Sequence, residues 1–195
     1  MKIGVLALQG DFAEHIAVLK RLKVEASEVR LPEHLMGLDG LIIPGGESTT
    51  IGKLSESFGL SGPLQQFGQR HAIWGTCAGA IFLSKDASRR QPLLDLMDIT
   101  VERNAFGRQV DSFQADLDVP ELQRVTGSKE PYHAIFIRAP IIQSVSGEAR
   151  VLASLATTAD QRIVAAQQGH LLATSFHPEL TSDARFHEYF LSLAD

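Results

Sequence analysis

Short apolar runs that alternate with helix-spaced patterns constrain this chain most, because few folds bury strands on both faces. Residues 3–8 are almost continuously apolar, and residues 24–30 alternate. Residues 40–44 (GLIIP) end at Pro44-Gly45-Gly46, and residues 71–76 (HAIWGT) form a further run. After the first run, Phe12, Ile16, Leu19 and Leu22 recur at helical spacing up to Val24. Ser48 or Thr49 is placed to cap a helix reaching residue 58, and Pro63 opens another towards residue 70. Parallel strands covered by helices are expected here, with residues 78–83 as the buried helix after the 71–76 strand. From residue 98 strands dominate, at 98–102, 112–118, 133–137, 151–155, 162–167 and 171–176. Their β-branched and aromatic content, with Gly or Pro between them, predicts a mixed sheet with hairpins. Residues 183–193 read as a closing amphipathic helix, capped by Ser182, that buries Phe186, Tyr189, Phe190 and Leu193. The fold class is α/β, and 195 residues at 44% apolar composition suffice for one domain with its own core. No internal repeat, low-complexity stretch or linker interrupts it.

Charge and cysteine use exclude several classes of function. The net charge of −5, with no run of five basic residues, argues against nucleic acid as a partner. A single cysteine forms no internal disulfide, no Cys/His cluster has zinc spacing, and no metal is expected. That thiol is either buried filler or reactive, in a reducing compartment. Residues 3–8 are too short for a signal h-region and run into Gln9-Gly10-Asp11, which offers no small-residue cleavage site. No apolar stretch approaches the ~18 residues of a membrane span. A cytoplasmic protein with no membrane partner is the expectation.

Gly75-Thr76-Cys77-Ala78-Gly79 places the cysteine between a predicted strand and a predicted helix in the G-x-C-x-G form of a nucleophile elbow. Such a turn brings neighbouring backbone so close that only glycine fits on both sides, and it lifts the nucleophile to the end of the sheet. At a helix N-terminus a cysteine also meets the positive end of the helix dipole, which favours thiolate. The amide of Ala78 then points where an oxyanion would form. By itself the pattern equally fits a buried cysteine among small packing residues, and a nucleophile also needs a base. His177 supplies the candidate, because it follows the last apolar run and opens His177-Pro178-Glu179. Residues two apart in extended chain project to one side, and Pro178 keeps His177 out of the helical region. Glu179 can therefore hold one ring nitrogen while the other faces the thiol. His15, His34, His71, His133, His170 and His187 have no such context and read as surface or packing residues.

Pro44-Gly45-Gly46-Glu47-Ser48 ends another strand and offers a second oxyanion amide at Gly46, with Glu47 and Ser48 as polar contacts to a substrate. A phosphate loop is the rival, but no G-x-x-x-x-G-K-[ST] is present and Glu47 would repel an anion. With GGES, GTCAG and HPE in this order, the chain resembles the class I (triad) glutamine amidotransferases. That resemblance implies a flavodoxin-like sheet and glutamine as substrate. Residues 7–12 (ALQGDF), 44–50 (PGGESTT), 103–109 (RNAFGRQ), 136–140 (FIRAP) and 173–180 (ATSFHPEL) are similar, more narrowly, to the PdxT/SNO family of glutaminase subunits of pyridoxal phosphate synthase. The resemblance implies Cys77 as nucleophile, with His177 and Glu179 completing the triad. It implies glutamine held by Gly46, Glu47, Ser48, Arg103, Ile137 and Arg138, and no cofactor. It further implies a separate synthase subunit that takes the ammonia within a large hetero-oligomer, with residues 9–12 facing that partner. A cysteine peptidase of related fold, or a domain that only binds a partner, are the competing expectations.

Overall fold

The computed structural model describes residues 1–88, 90–103, 112–156 and 161–195. The predicted alternation is present: β1 (Lys2–Leu6), α1 (Phe12–Arg21), β2 (Glu25–Val29), β3 (Gly40–Ile43), α2 (Ser48–Ser57), α3 (Ser61–Gly68), β4 (Ala72–Thr76) and α4 (Ala78–Leu83). The second half contributes β5 (Ser84–Asp86), β6 (Met97–Glu102), β7 (Ser112–Leu117), α5 (Pro120–Thr126), β8 (Tyr132–Ile137), β9 (Ile141–Val145), β10 (Arg150–Ala156), β11 (Gln161–Gln168), β12 (Leu171–Thr174) and α6 (Arg185–Leu193).

Among the described residues the main sheet has ten strands, in the order β2-β1-β3-β4-β12-β11-β9-β6-β5, with β10 paired to β11. The first five are mutually parallel, and their order is that of a flavodoxin-like sheet. Beyond them β11 runs antiparallel to β12, β9 and β10, so the sheet is mixed as expected. A separate two-stranded ribbon, β7-β8, carries residues 132–137 towards the end of β12.

Alternating side chains send the parallel strands into two cores. Leu41, Ile43 and Ile73 pack with residues of α2, α3 and α4 on one face. Ile42, Trp74 and Leu172 pack with residues of α1 and α6 on the other. Helices therefore cover both faces, as the apolar runs require.

Several expected boundaries shift for local reasons. Helix α2 is capped by Glu47, whose carboxylate accepts from the Thr50 amide, not by Ser48 or Thr49. Helix α6 begins at Arg185 with Ala184 in the cap position and no side-chain cap, so Ser182 is not its cap. Phe186, Tyr189 and Phe190 are buried as expected, while Leu193 is half-buried. β1 and β12 end two residues early, at Leu6 and Thr174, because the chain turns there into loops that build the site. Three α-helices or strands lie outside those expected. Helix α5 is bounded by Pro120 in its first turn and left-handed Gly127 (φ 74°) at its end, a signature present in the sequence. The other two, β5 and β9, are three and five residues long.

Candidate active site

The loops after β1, β3, β4 and β12 meet at the carboxyl ends of adjacent parallel strands, where open α/β sheets build their clefts. The β4-α4 elbow is as tight as its sequence demands. A Cβ at Gly75 would collide with the Gly79 carbonyl, and one at Gly79 with the carbonyl of Ile43. Between them Cys77 takes φ 46° and ψ −104°, a strained conformation for any residue with a side chain. It is fixed there by its amide, which donates to the Thr174 carbonyl at 2.7 Å. Cys77 is 7% exposed.

His177 lies beside it, just past β12. Its amide donates to the Ile135 carbonyl of β8 at 2.8 Å. Its Nδ1 is 2.6 Å from Glu179 Oε1 and 3.6 Å from Asp11 Oδ2. Burial pushes the imidazole towards neutrality, but its hydrogen bonds to Cys77 and Glu179 and the charge on both outweigh that and raise its pKa to about 10. Burial raises the Glu179 carboxyl, opposed by the hydrogen bond and charge of His177. The arrangement sets His177 between the Cys77 sulfur and the Glu179 carboxylate, placed to pass a proton to a leaving group.

A cavity of about 470 Å³ opens in front of Cys77, a size that suits an amino acid. Of the residues singled out from sequence, Cys77, Ala78 and His177 form its floor, and Gly46, Glu47, Ser48, Arg103, Ile137 and Arg138 line the rest. Glu179 stands behind His177 and is buried. Of the string at residues 103–109, only Arg103 belongs to the described residues; 104–109 lie outside them.

The polar rim differs in detail from expectation. Glu47 and Arg103 pair with each other, Oε1 to Nη2 at 2.6 Å, while Glu47 Oε2 caps α2. Partial burial raises the Glu47 carboxyl, but Arg103 and Thr50 override that and lower it to about 2. Arg103 also donates to Thr49 Oγ1 and Gln91 Oε1, at 3.1 and 3.3 Å. Arg138 is exposed, has φ 43°, and forms no ion pair among the described residues.

Gln9 and Asp11 also line the cavity. Gln9 Oε1 accepts from the Glu47 amide at 2.6 Å, and the Asp11 amide donates to the Gly45 carbonyl at 3.2 Å. Gly46 sits at φ 151°, where a Cβ would run into the Gln9 amide group. Sequence reasoning placed residues 9–12 only at a partner surface. Their role in bracing the Gly45-Gly46 turn depends on two loops far apart in the chain, which no local pattern reveals. The same holds for Thr49, Gln91 and the fully buried His15, whose Nε2 lies 3.3 Å from Glu179 Oε2. Asp11, His177 and Glu179 have ligand atoms within 4.8 Å of one another, His177 and Glu179 being joined by their hydrogen bond while Asp11 Oδ2 lies 3.6 Å from His177 Nδ1.

Comparison with known proteins agrees with the geometry. The chain is 57% identical to the pyridoxal 5'-phosphate synthase subunit PdxT of Herpetosiphon aurantiacus, over 99% of this chain and 100% of that protein. It is 54% identical to the subunit of the same name from Pelotomaculum thermopropionicum, over 98% and 94% respectively. A crystal structure of a glutamine amidotransferase superposes with a TM-score of 0.89 at 50% identity, covering 98% of both chains. The model of the SNO glutamine amidotransferase family matches residues 5–194, and the chain belongs to that family.

Proposed function

We propose that this protein is the glutaminase subunit of a pyridoxal phosphate synthase, hydrolysing L-glutamine to L-glutamate and ammonia. The observation that carries the mechanism is the line formed by a strained, buried cysteine, a histidine held protonated beside it, and a buried glutamate on the far ring nitrogen. Cys77 attacks the side-chain amide carbon as thiolate. The amides of Gly46 and Ala78 take the oxyanion, and His177 passes its proton to the departing nitrogen. Ammonia leaves, and the acyl group remains on Cys77 as a thioester. Neutral His177 then removes a proton from water, the resulting hydroxide attacks the thioester, and glutamate departs. Glu179 keeps Nδ1 protonated and steadies the imidazolium in both halves.

Substrate recognition follows from the rim. Arg138, a cation with no ion-pair partner among the described residues, suits the α-carboxylate of glutamine. Glu47 and Ser48 suit its ammonium, with Arg103 holding the Glu47 carboxylate in place, while Ile137 packs beside the methylenes. The whole span 1–195 acts as one glutaminase domain. No helix among the described residues is long and apolar enough to cross a membrane, and the protein works in the cytoplasm. Its partner is the synthase subunit, which consumes the ammonia in a hetero-oligomer. The test is glutamate release in the assembled complex: Cys77→Ala is expected to abolish it, and unchanged turnover in that variant would refute the triad.

A further inference from the structure

Behind Glu179, on the side away from the cavity, lies a buried polar chain that the hydrolysis as described does not use. His15 on α1 and His187 on α6 are both 0% exposed. His15 Nδ1 is 3.1 Å from His187 Nε2. His15 Nε2 is 3.3 Å from Thr76 Oγ1, on the residue before the nucleophile, and 3.3 Å from Glu179 Oε2. Trp74 packs its ring edge-on against both imidazoles, with centroids 5.8 and 4.9 Å away. Two histidines 172 residues apart thus reach from the core to the back of the triad.

Both rings are neutral. Burial, with further contributions from His187 and His177, pushes His15 well below its ordinary pKa. Burial, then Arg21, pushes His187 down to about 3. Each ring therefore carries one proton, and the chain has two possible arrangements. In one, His15 donates from Nδ1 to His187 Nε2. His187 Nδ1, which has no hydrogen-bond partner among the described residues, is then a buried N–H without an acceptor. Glu179 Oε2, which also lacks a partner of good hydrogen-bond geometry, faces a ring lone pair. In the other, His187 donates from Nε2 to His15 Nδ1, and His15 Nε2 carries its proton within 3.3 Å of both Thr76 Oγ1, to which it is hydrogen-bonded, and Glu179 Oε2. Only a lone pair on His187 Nδ1 is left over. An orphaned acceptor costs less than an orphaned donor combined with a lone pair held against a carboxylate.

We infer that His15 is a positioning residue for the glutaminase site: its Nε2–H holds Glu179 Oε2 while Oε1 holds His177, and His187 fixes the tautomer that makes this possible. The inference rests on the triad proposed above. Glu179 is then gripped at both oxygens, so the carboxylate cannot rotate away from the imidazole, and a donor at Oε2 counteracts the burial that would otherwise protonate it.

The decisive pair of variants separates the two ring positions. Glutamine can present an N–H where Nε2 stands, whereas asparagine presents one only near Nδ1. In the complex with the synthase subunit, His15→Asn is expected to lower kcat about tenfold or more, with KM unchanged and the acid limb of kcat/KM displaced to higher pH. His15→Gln restores most of the loss. Equal kcat in the two variants, or a fall in folded fraction with no displacement of the acid limb, overturns the inference. Imidazole nitrogen NMR of the unmodified protein gives a reading that needs no variant: Nε2–H tautomers at His15 and His187 support it, and an Nδ1–H tautomer at His15 overturns it. Turnover persisting in Cys77→Ala would instead remove the triad itself, so the two failures are distinguishable.

Discussion

The floor and the rim of the cavity are built on different principles. The floor, Cys77 with His177 and Glu179, hangs on backbone hydrogen bonds to β8 and β12 and is almost wholly buried. The rim, Glu47 with Arg103 and Arg138, is half-exposed and sits on loops, and its charges are in part paired with one another. A floor of this kind is fixed before substrate arrives, which is what a reaction needs from its reacting groups. A rim whose Glu47–Arg103 pair already exists has charges in place without substrate, and on the proposed reading glutamine adds its own contacts to that network. Mutations on the floor should therefore act on kcat, and mutations on the rim on KM.

The largest break in that contrast is expected at the floor. Glu179→Gln leaves the shape but frees the tautomer of His177, and kcat should fall roughly a thousandfold or more with little change in KM. Steady-state glutamate release in the assembled complex measures both. A change confined to KM would place Glu179 in binding, not catalysis. At the rim, Arg138→Ala removes a cation that has no ion-pair partner among the described residues. KM for glutamine should rise about tenfold to a hundredfold, the worth of one charge-assisted hydrogen bond, while kcat moves little.

Stability against pH separates the regions further, with opposite signs. His177 is raised from 6.5 to about 10. Its contribution is complete below pH 6.5 and fades as pH climbs through 10. The melting temperature of the wild type relative to His177→Asn should accordingly fall across that alkaline window, and a difference that grows with pH would contradict the assignment. Glu47 is depressed from 4.5 to about 2. Its contribution is present above pH 4.5 and is lost as pH drops towards 2. The effect of Glu47→Gln should vanish over that acid window, and because the pair is half-exposed the effect is only about 0.5 kcal/mol.

The same contrast explains what the sequence made legible. Floor residues stand in short contiguous strings whose backbone demands are local. Gly75 and Gly79 flank Cys77 because only glycine fits there, and Pro178 separates His177 from Glu179 by the two residues that let them meet. The parallel strands were visible because strands buried on both faces are continuously apolar, as residues 3–8 and 40–44 are. What could not be read depends on pairs distant in the chain. Glu47 and Arg103 are 56 residues apart, and their pairing depends on how β3 and β6 are arranged. Gln9 bracing Glu47, and His15 behind Glu179, are likewise products of tertiary structure. Helix α5 is a different kind of omission, since Pro120 and Gly127 marked its ends, but its single fully buried residue, Leu122, gave too weak an apolar period between them.

Covalent capture of the intermediate tests the central claim most directly. In the complex with the synthase subunit, turnover of isotopically labelled glutamine is quenched in acid and the peptide carrying Cys77 is examined by mass spectrometry. A labelled glutamyl group on Cys77, absent when glutamine is omitted, is the predicted result. Steady glutamate production by Cys77→Ala, with no adduct on the wild-type peptide, would contradict it.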